Sequence, residues 1–198
     1  MSDSTVNLAT LIGSRICHDL ISPVGAITNG LELLEMSGSM EGPELELISD
    51  SVQNAGARIR FFRIAYGIAS DQMLGRQEVA SVLQDIAAGG RLRFDWRPEG
   101  PNPRAMVRLA FLALQCCETA MPYGGEVTIS CTDERWTICG TTSKLNLEPT
   151  LWRGLMNDSG PDEVTPAQVQ FALFPSAARE LGRDIQLDHD ETSVTITF

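Results

Sequence analysis

Ser14-Arg15-Ile16-Cys17-His18-Asp19-Leu20-Ile21-Ser22-Pro23-Val24 is the stretch on which the rest of the chain depends. It holds one of only 2 histidines, followed at once by an acid, with a proline five residues past the histidine. Apolar residues then recur at Leu20, Val24, Ile27, Leu31 and Leu34, in alternating steps of four and three. That spacing predicts a long helix whose apolar seam is made for another helix. At ~100° per residue the seam points roughly 160° away from His18. The histidine therefore stands on the polar side of a rod, placed to react with something large that docks.

Outward from this stretch, the first helix is expected over Asn7–Met36, with residues 1–6 as a frayed lead-in. Gly13, Gly25 and Gly30 each weaken it by about 1 kcal/mol relative to alanine, so packing must hold it. Pro23 removes a backbone donor and predicts a bend just past His18. Ser37-Gly38-Ser39-Met40-Glu41-Gly42-Pro43 carries the signals that stop one helix and start the next. Leu45, Ile48, Val52, Ala55, Ile59, Phe62, Tyr66 and Ala69 then alternate steps of three and four, a second helix. Two such helices joined by a short turn form an antiparallel hairpin. A lone hairpin covers little of two seams. A second copy closing a four-helix bundle across a two-fold axis is expected, and cover by the downstream domain is the alternative.

Composition shifts after Ser70-Asp71-Gln72-Met73-Leu74-Gly75. The fold class expected is α+β, with a helical hairpin over 1–74 and a mixed α/β domain over 75–198. In that domain Glu78–Ala88 predicts a short helix, Arg91–Arg97 a strand and Pro98–Pro103 a loop. Arg104–Met121 predicts a buried helix, ended before Gly124-Gly125. Glu126–Cys131 and Trp136–Cys139 predict strands, Pro149–Met156 a short helix and Asn157–Thr165 a polar loop. Pro166–Leu181 predicts a helix stopped by Gly182, and Asp184–Leu187 with Ser193–Phe198 a final hairpin.

A net charge of -11 and a pI near 4.6 argue against nucleic acid and anionic membrane as partners. No apolar run approaches the ~20 residues that cross a bilayer. Met1-Ser2-Asp3-Ser4-Thr5 lacks the basic start and apolar core of a signal peptide, so a cytoplasmic location is expected. The 5 cysteines (17, 116, 117, 131 and 139) include no CxxC pair and are expected to be buried, reduced thiols. No cluster supplies the ligands of a zinc site.

His18-Asp19-Leu20-Ile21-Ser22-Pro23-Val24 resembles the phosphoacceptor box of sensor histidine kinases: histidine, acid, leucine, two variable residues, proline or asparagine, then an aliphatic. The order of elements in 76–198 is similar to the ATP-binding domain of those kinases. The ATP motifs, however, are missing. Leu112 and Cys116 stand where two asparagines would hold Mg²⁺-ATP. Ile138-Cys139-Gly140-Thr141-Thr142 replaces Asp-x-Gly-x-Gly, and Ala167-Gln168-Val169-Gln170-Phe171 replaces a glycine-rich turn that would wrap phosphates. A kinase-like box on a dimeric hairpin with a degenerate ATP domain resembles the ChpT-type histidine phosphotransferases.

The resemblance implies a degenerate histidine-kinase-type α/β sandwich after the hairpin, and a relay. A hybrid kinase's receiver domain passes phosphate to His18, which passes it to a response-regulator aspartate. CtrA-like and CpdR-like regulators are the partners implied. No cofactor is expected, since Mg²⁺ comes with the receiver. Asp19 is implied as a supporting residue that orients the imidazole or keeps it basic.

By rotation, Ser14, Ser22, Gly25 and Asn29 share His18's face and are small enough to admit a receiver. Arg15 lies close by. With the hairpin turning near Met40, Arg58, Arg60 and Arg63 come level with His18 and could attract an acidic receiver and a phosphoryl group. His189, in Asp188-His189-Asp190-Glu191, is expected in a polar turn. Two rival functions stay open: an active kinase module with unusual ATP motifs, and a non-catalytic dimeric scaffold that binds receivers.

Overall fold

The computed structural model describes residues 2–37, 42–68, 70–88, 90–156, 161 and 163–198. Two long helices open the chain, α1 (Ser2–Ser37) and α2 (Pro43–Ala65). Gly38, Ser39, Met40 and Glu41, the centre of the expected turn, lie outside the described residues. Gly30 is buried where the helices meet, and a Cβ there would come within 2.6 Å of the Ile48 side chain. The glycine that costs helix propensity thus lets the two rods approach.

Helix α1 departs from expectation at its start. The predicted frayed lead-in is helical from Ser2, because extending an already packed helix adds a hydrogen bond for each residue fixed. The helix continues through Pro23, which is buried. Helix α2 stops at Ala65, short of the predicted Ala69, which itself lies outside the described residues. Gly67 marks the exit: a Cβ there would sit 2.1 Å from the Arg63 carbonyl oxygen.

The remaining elements are β1 (Met73–Leu74), α3 (Arg76–Ala87), β2 (Leu92–Trp96), β3 (Asn102–Pro103), α4 (Arg104–Ala120), β4 (Gly125–Thr132), β5 (Arg135–Thr141), α5 (Pro149–Leu155), a 3₁₀ turn (Pro166–Gln168), α6 (Val169–Glu180), β6 (Gln186–His189) and β7 (Ser193–Thr197). The five-stranded sheet has the order β2-β4-β5-β7-β6, with β2 and β4 parallel and the other pairs antiparallel. Three corrections concern strands. Met73–Leu74 and Asn102–Pro103, expected in linker and loop, pair with each other. Their partners are about thirty residues apart, so no local pattern announces them. His189, expected in a turn, ends β6 and pairs with Val194. The turn begins at Asp190, whose carboxylate accepts the backbone N–H of Thr192 and of Ser193, both at 2.7 Å. The Asn157–Thr165 loop falls largely outside the described residues.

One face of the sheet is buried. Val127 and Ile129, Trp136 and Ile138, and Val194 and Ile196 alternate inward, while Thr128, Ser130, Thr137 and Thr195 turn outward. Helix α4 covers the inner face against β4, β5 and β7, α3 lies beside β2, and α6 packs on α4 with the Phe174 ring 5.5 Å from that of Phe198. Gly140 allows the close approach of α4, since a Cβ there would meet Met121 at 3.0 Å and Cys117 at 3.3 Å. The end of α2 joins the same core: Phe61 stacks on Phe111 with ring centroids 4.8 Å apart. Leu8, Leu11, Ile12 and Ile16 of α1 also pack against it. Cys116 and Cys117 are buried thiols, pushed well above the ordinary cysteine range by loss of hydration. Cys17, in contrast, is exposed beside His18, because residues 17 and 18 share the outer side of α1.

Candidate functional site

Helix α1 meets α2 and the second domain along one side and water along the other. Ile16 and Leu20 are half-buried on the packed side, and the His18 side chain is 82% exposed. Asp19 is one residue on, hence ~100° round the helix, and its side chain is only 10% exposed. The pair therefore straddles the edge of the rod, with the imidazole in solvent and the carboxylate turned inward.

The carboxylate is held at both oxygens. Asp19 Oδ1 lies 3.1 Å from His18 Nδ1. Arg15 Nε donates to Asp19 Oδ2 at 2.7 Å, and Arg58 Nη1 stands 3.8 Å from the same oxygen. Arg15 reaches further: its Nη1 donates to the Ala167 carbonyl in the 3₁₀ turn, at 2.8 Å. Arg58 Nε donates to Asn54 Oδ1 at 2.9 Å, which fixes its guanidinium on α2. With its proton on Nδ1, the imidazole donates to Asp19 and leaves the Nε2 lone pair facing outward. Nε2 has no hydrogen-bond partner among the described residues.

The other expected site residues are distributed unevenly. Ser14, Ser22 and Asn29 are exposed on α1. Gly25 is half-buried, and an added Cβ there would meet nothing within 4 Å. This leaves a low surface beside the histidine. The arginines of α2 separate: Arg60 pairs with Asp85 of α3 at 2.8 Å, and Arg63 is exposed elsewhere on the helix. The reason is angular, since two residues turn a helix by ~200° and five by ~140° after full turns are removed. Only Arg58 of the three reaches the His18–Asp19 pair, and Arg15 turns toward the second domain rather than outward.

Two further groups were not anticipated. Arg15, Asp19, Arg58, Gln115 and Glu118 border a cleft of about 290 Å³ between hairpin and second domain, floored by Phe61, Phe62 and Leu114. Loss of hydration raises the Glu118 carboxyl above the ordinary range; Arg15 and Arg58 oppose the shift and Asp19 adds to it. Glu118 is itself exposed at the rim of the cleft, so solvent screens these interactions and the rise is small. Burial likewise raises the Tyr66 hydroxyl, which donates to Gln115 Oε1 at 2.6 Å. One available signal was that Glu118 is the lone charge in the apolar run 109–121.

The positions expected from the sequence to correspond to nucleotide motifs are packed or capped. Leu112 and Cys116 are fully buried in α4, as are Val169 and Phe171 in α6. Gln170 is 1% exposed and donates to Thr119 Oγ1 at 2.9 Å. Thr165 and Gln168 form a capping box across the 3₁₀ turn.

A family model described as the histidine phosphotransferase C-terminal domain matches residues 76–193. The chain belongs to the histidine phosphotransferases. Protein phosphotransferase ChpT of Brucella abortus (strain 2308) is 36% identical over 194 residues, which cover 93% of this chain and 91% of that protein. A solved structure described as a bacterial phosphotransferase superposes with a TM-score of 0.79 at 31% identity, covering 100% of this chain and 98% of that one. This phosphotransferase thus shares its architecture with that structure over nearly the whole length of both chains. No helix among its described residues is long and apolar enough to cross a membrane.

Proposed function

We propose that this histidine phosphotransferase is a phosphohistidine carrier between two receiver domains. The supporting observation is an imidazole 82% exposed on a rigid helix, with Nδ1 facing a held carboxylate and Nε2 facing water. Nε2 attacks the phosphorus of an aspartyl phosphate on the receiver of a hybrid kinase. The N–P bond forms as the P–O bond to the receiver breaks, and that aspartate leaves as a carboxylate. The ring keeps its Nδ1 proton and becomes cationic, and Asp19 Oδ1 is the anion beside it. In the second transfer a response-regulator aspartate attacks phosphorus, the N–P bond breaks and the neutral imidazole returns. Transfer needs in-line positioning and charge neutralisation. The receiver's Mg²⁺ supplies much of the neutralisation, so this chain supplies the nucleophile and its orientation.

ATP has no part in this scheme. The asparagine positions are apolar and inside the core, and a capped turn stands in place of the phosphate-wrapping glycines. The exposed apolar residues of the hairpin support a homodimer with two equivalent His18 sites. CtrA-like and CpdR-like regulators, in the cytoplasm, are the receivers we assign by resemblance to the ChpT type.

The test uses receivers phosphorylated in advance. Wild-type protein should take up acid-labile phosphate in the absence of nucleotide, and His18→Gln should take up none while remaining folded. Undiminished labelling of His18→Gln overturns the assignment. Micromolar ATP binding with self-labelling would return the chain to the kinases.

A further inference from the structure

We propose that Arg15 is a positioning residue that lets the second domain set the orientation of the His18 imidazole; the inference rests on the carrier function above. Three contacts run in series. The Ala167 carbonyl accepts from Arg15 Nη1 at 2.8 Å, Arg15 Nε donates to Asp19 Oδ2 at 2.7 Å, and Asp19 Oδ1 faces His18 Nδ1 at 3.1 Å. The guanidinium is planar and its donors have a fixed fork, so a bond at one nitrogen fixes the direction of the bond at another. Ala167 is not on a loose loop. It lies in the 3₁₀ turn closed by Thr165 and Gln168, with Gln168 Nε2 also 3.5 Å from Glu148 Oε2. The carboxylate that orients the imidazole is thereby referenced to residues about 150 positions further along the chain.

The charges around Asp19 agree with this role. Arg15 and Arg58 face it from α1 and α2, Glu118 and the Tyr66 hydroxyl from α4 and the end of α2, and His18 from its outer side. Arg58 is 3.8 Å away and committed to Asn54, so Arg15 is the close partner of Oδ2. Without Arg15 the carboxylate can rotate toward Arg58, and Oδ1 leaves Nδ1. The proton then shifts between the ring nitrogens, and a share of the imidazoles present Nε2–H, which is no nucleophile. Arg15 touches neither phosphorus nor receiver and acts only through Asp19.

Full-length Arg15→Met and Arg15→Lys are compared with wild type in single-turnover transfer from a phosphorylated receiver. At saturating receiver Arg15→Met should slow on the order of tenfold, since small misplacements of a reacting group carry such losses. The receiver concentration for half-maximal rate should not change. Arg15→Lys, which keeps the charge but not the fork, should fall between. Nitrogen-15 spectra of the His18 ring should show less Nδ1–H tautomer in Arg15→Met. In Asp19→Asn the further Arg15→Met change should add nothing, because both act at one step. Gln168→Ala, which leaves α1 intact, should slow transfer in the same direction and replaces Arg15→Met if that variant does not fold. An unchanged tautomer, a loss confined to receiver affinity, or losses that multiply in the double variant overturns the proposal. The tautomer comparison needs no transfer, so it stands even if wild type fails to accept phosphate, an outcome that would reject the carrier function instead.

Discussion

Along α4 every residue from Leu109 to Cys117 is buried, whereas on α1 and α2 Ile21, Val24, Leu31, Val52 and Ile59 are 47–72% exposed. Both regions are rich in apolar side chains. In the second domain those side chains find the sheet, α6 and the end of α2 within the same chain. On the hairpin Val24 and Leu31 are seven residues apart, as are Leu45, Val52 and Ile59, and this row is left about half uncovered by the described residues. A repeat of seven is the mark of a helix awaiting helices. The comparison separates two tasks. The α4–sheet core supplies stability, and the hairpin, still open to association, carries the exposed His18.

Perturbations should therefore act on the two regions differently. The largest stability effect belongs to the core. Phe111→Ala removes the ring that stacks on Phe61 and lies 6.4 Å from Trp96. It should cost about 3–5 kcal/mol in urea unfolding. A loss under about 1 kcal/mol would mean that the core is not sealed here. On the hairpin, Leu31→Glu combined with Val52→Glu should leave the fold intact and act on association. Each such side chain, already about half covered, gains about 1 kcal/mol when a partner covers the rest. On the proposed homodimer, wild type should sediment as a dimer and the double variant as a 21.6 kDa species; a wild type already at 21.6 kDa, or a double variant that stays dimeric, would contradict this.

The smallest effect is at the far edge of the sheet. Asp190 accepts bonds from Thr192 and Ser193, which pull its carboxyl down to about 2. A carboxyl lowered by folding stabilises the ionised state, so its contribution is present above the ordinary aspartate value and fades as pH falls through the lowered one. Asp190→Ala should thus lower Tm at neutral pH, and the difference should close between about 3.8 and about 2. A difference undiminished at pH ~2 would assign the effect to something other than charge.

The sequence disclosed what repeats locally. The hairpin seam, the apolar stretch of α4 and the Gly182 stop of the last helix were legible because each is a pattern within a few turns of chain. Gly182 indeed adopts φ 63°, where glycine is at ease. Non-local pairings were not legible: the β1–β3 pair, the Arg60–Asp85 bridge and the Arg15–Ala167 bond each join residues 25 or more positions apart. The site divides in the same way. His18–Asp19 stands out in one short box with Arg15, while the groups that fix this arrangement from outside, Arg58 and the Ala167 carbonyl, come from α2 and the second domain. Rotation about α1 placed Arg15 near His18. It could not show that the guanidinium turns toward the Ala167 carbonyl of the second domain.

The most direct measurement is to mix the full-length chain with a phosphorylated receiver, without nucleotide, and locate the transferred group by peptide mapping at neutral pH. The account predicts one phosphoryl group, on His18, and its removal by a second receiver. Phosphate on any other residue, or on His18 only when ATP is supplied, would contradict it.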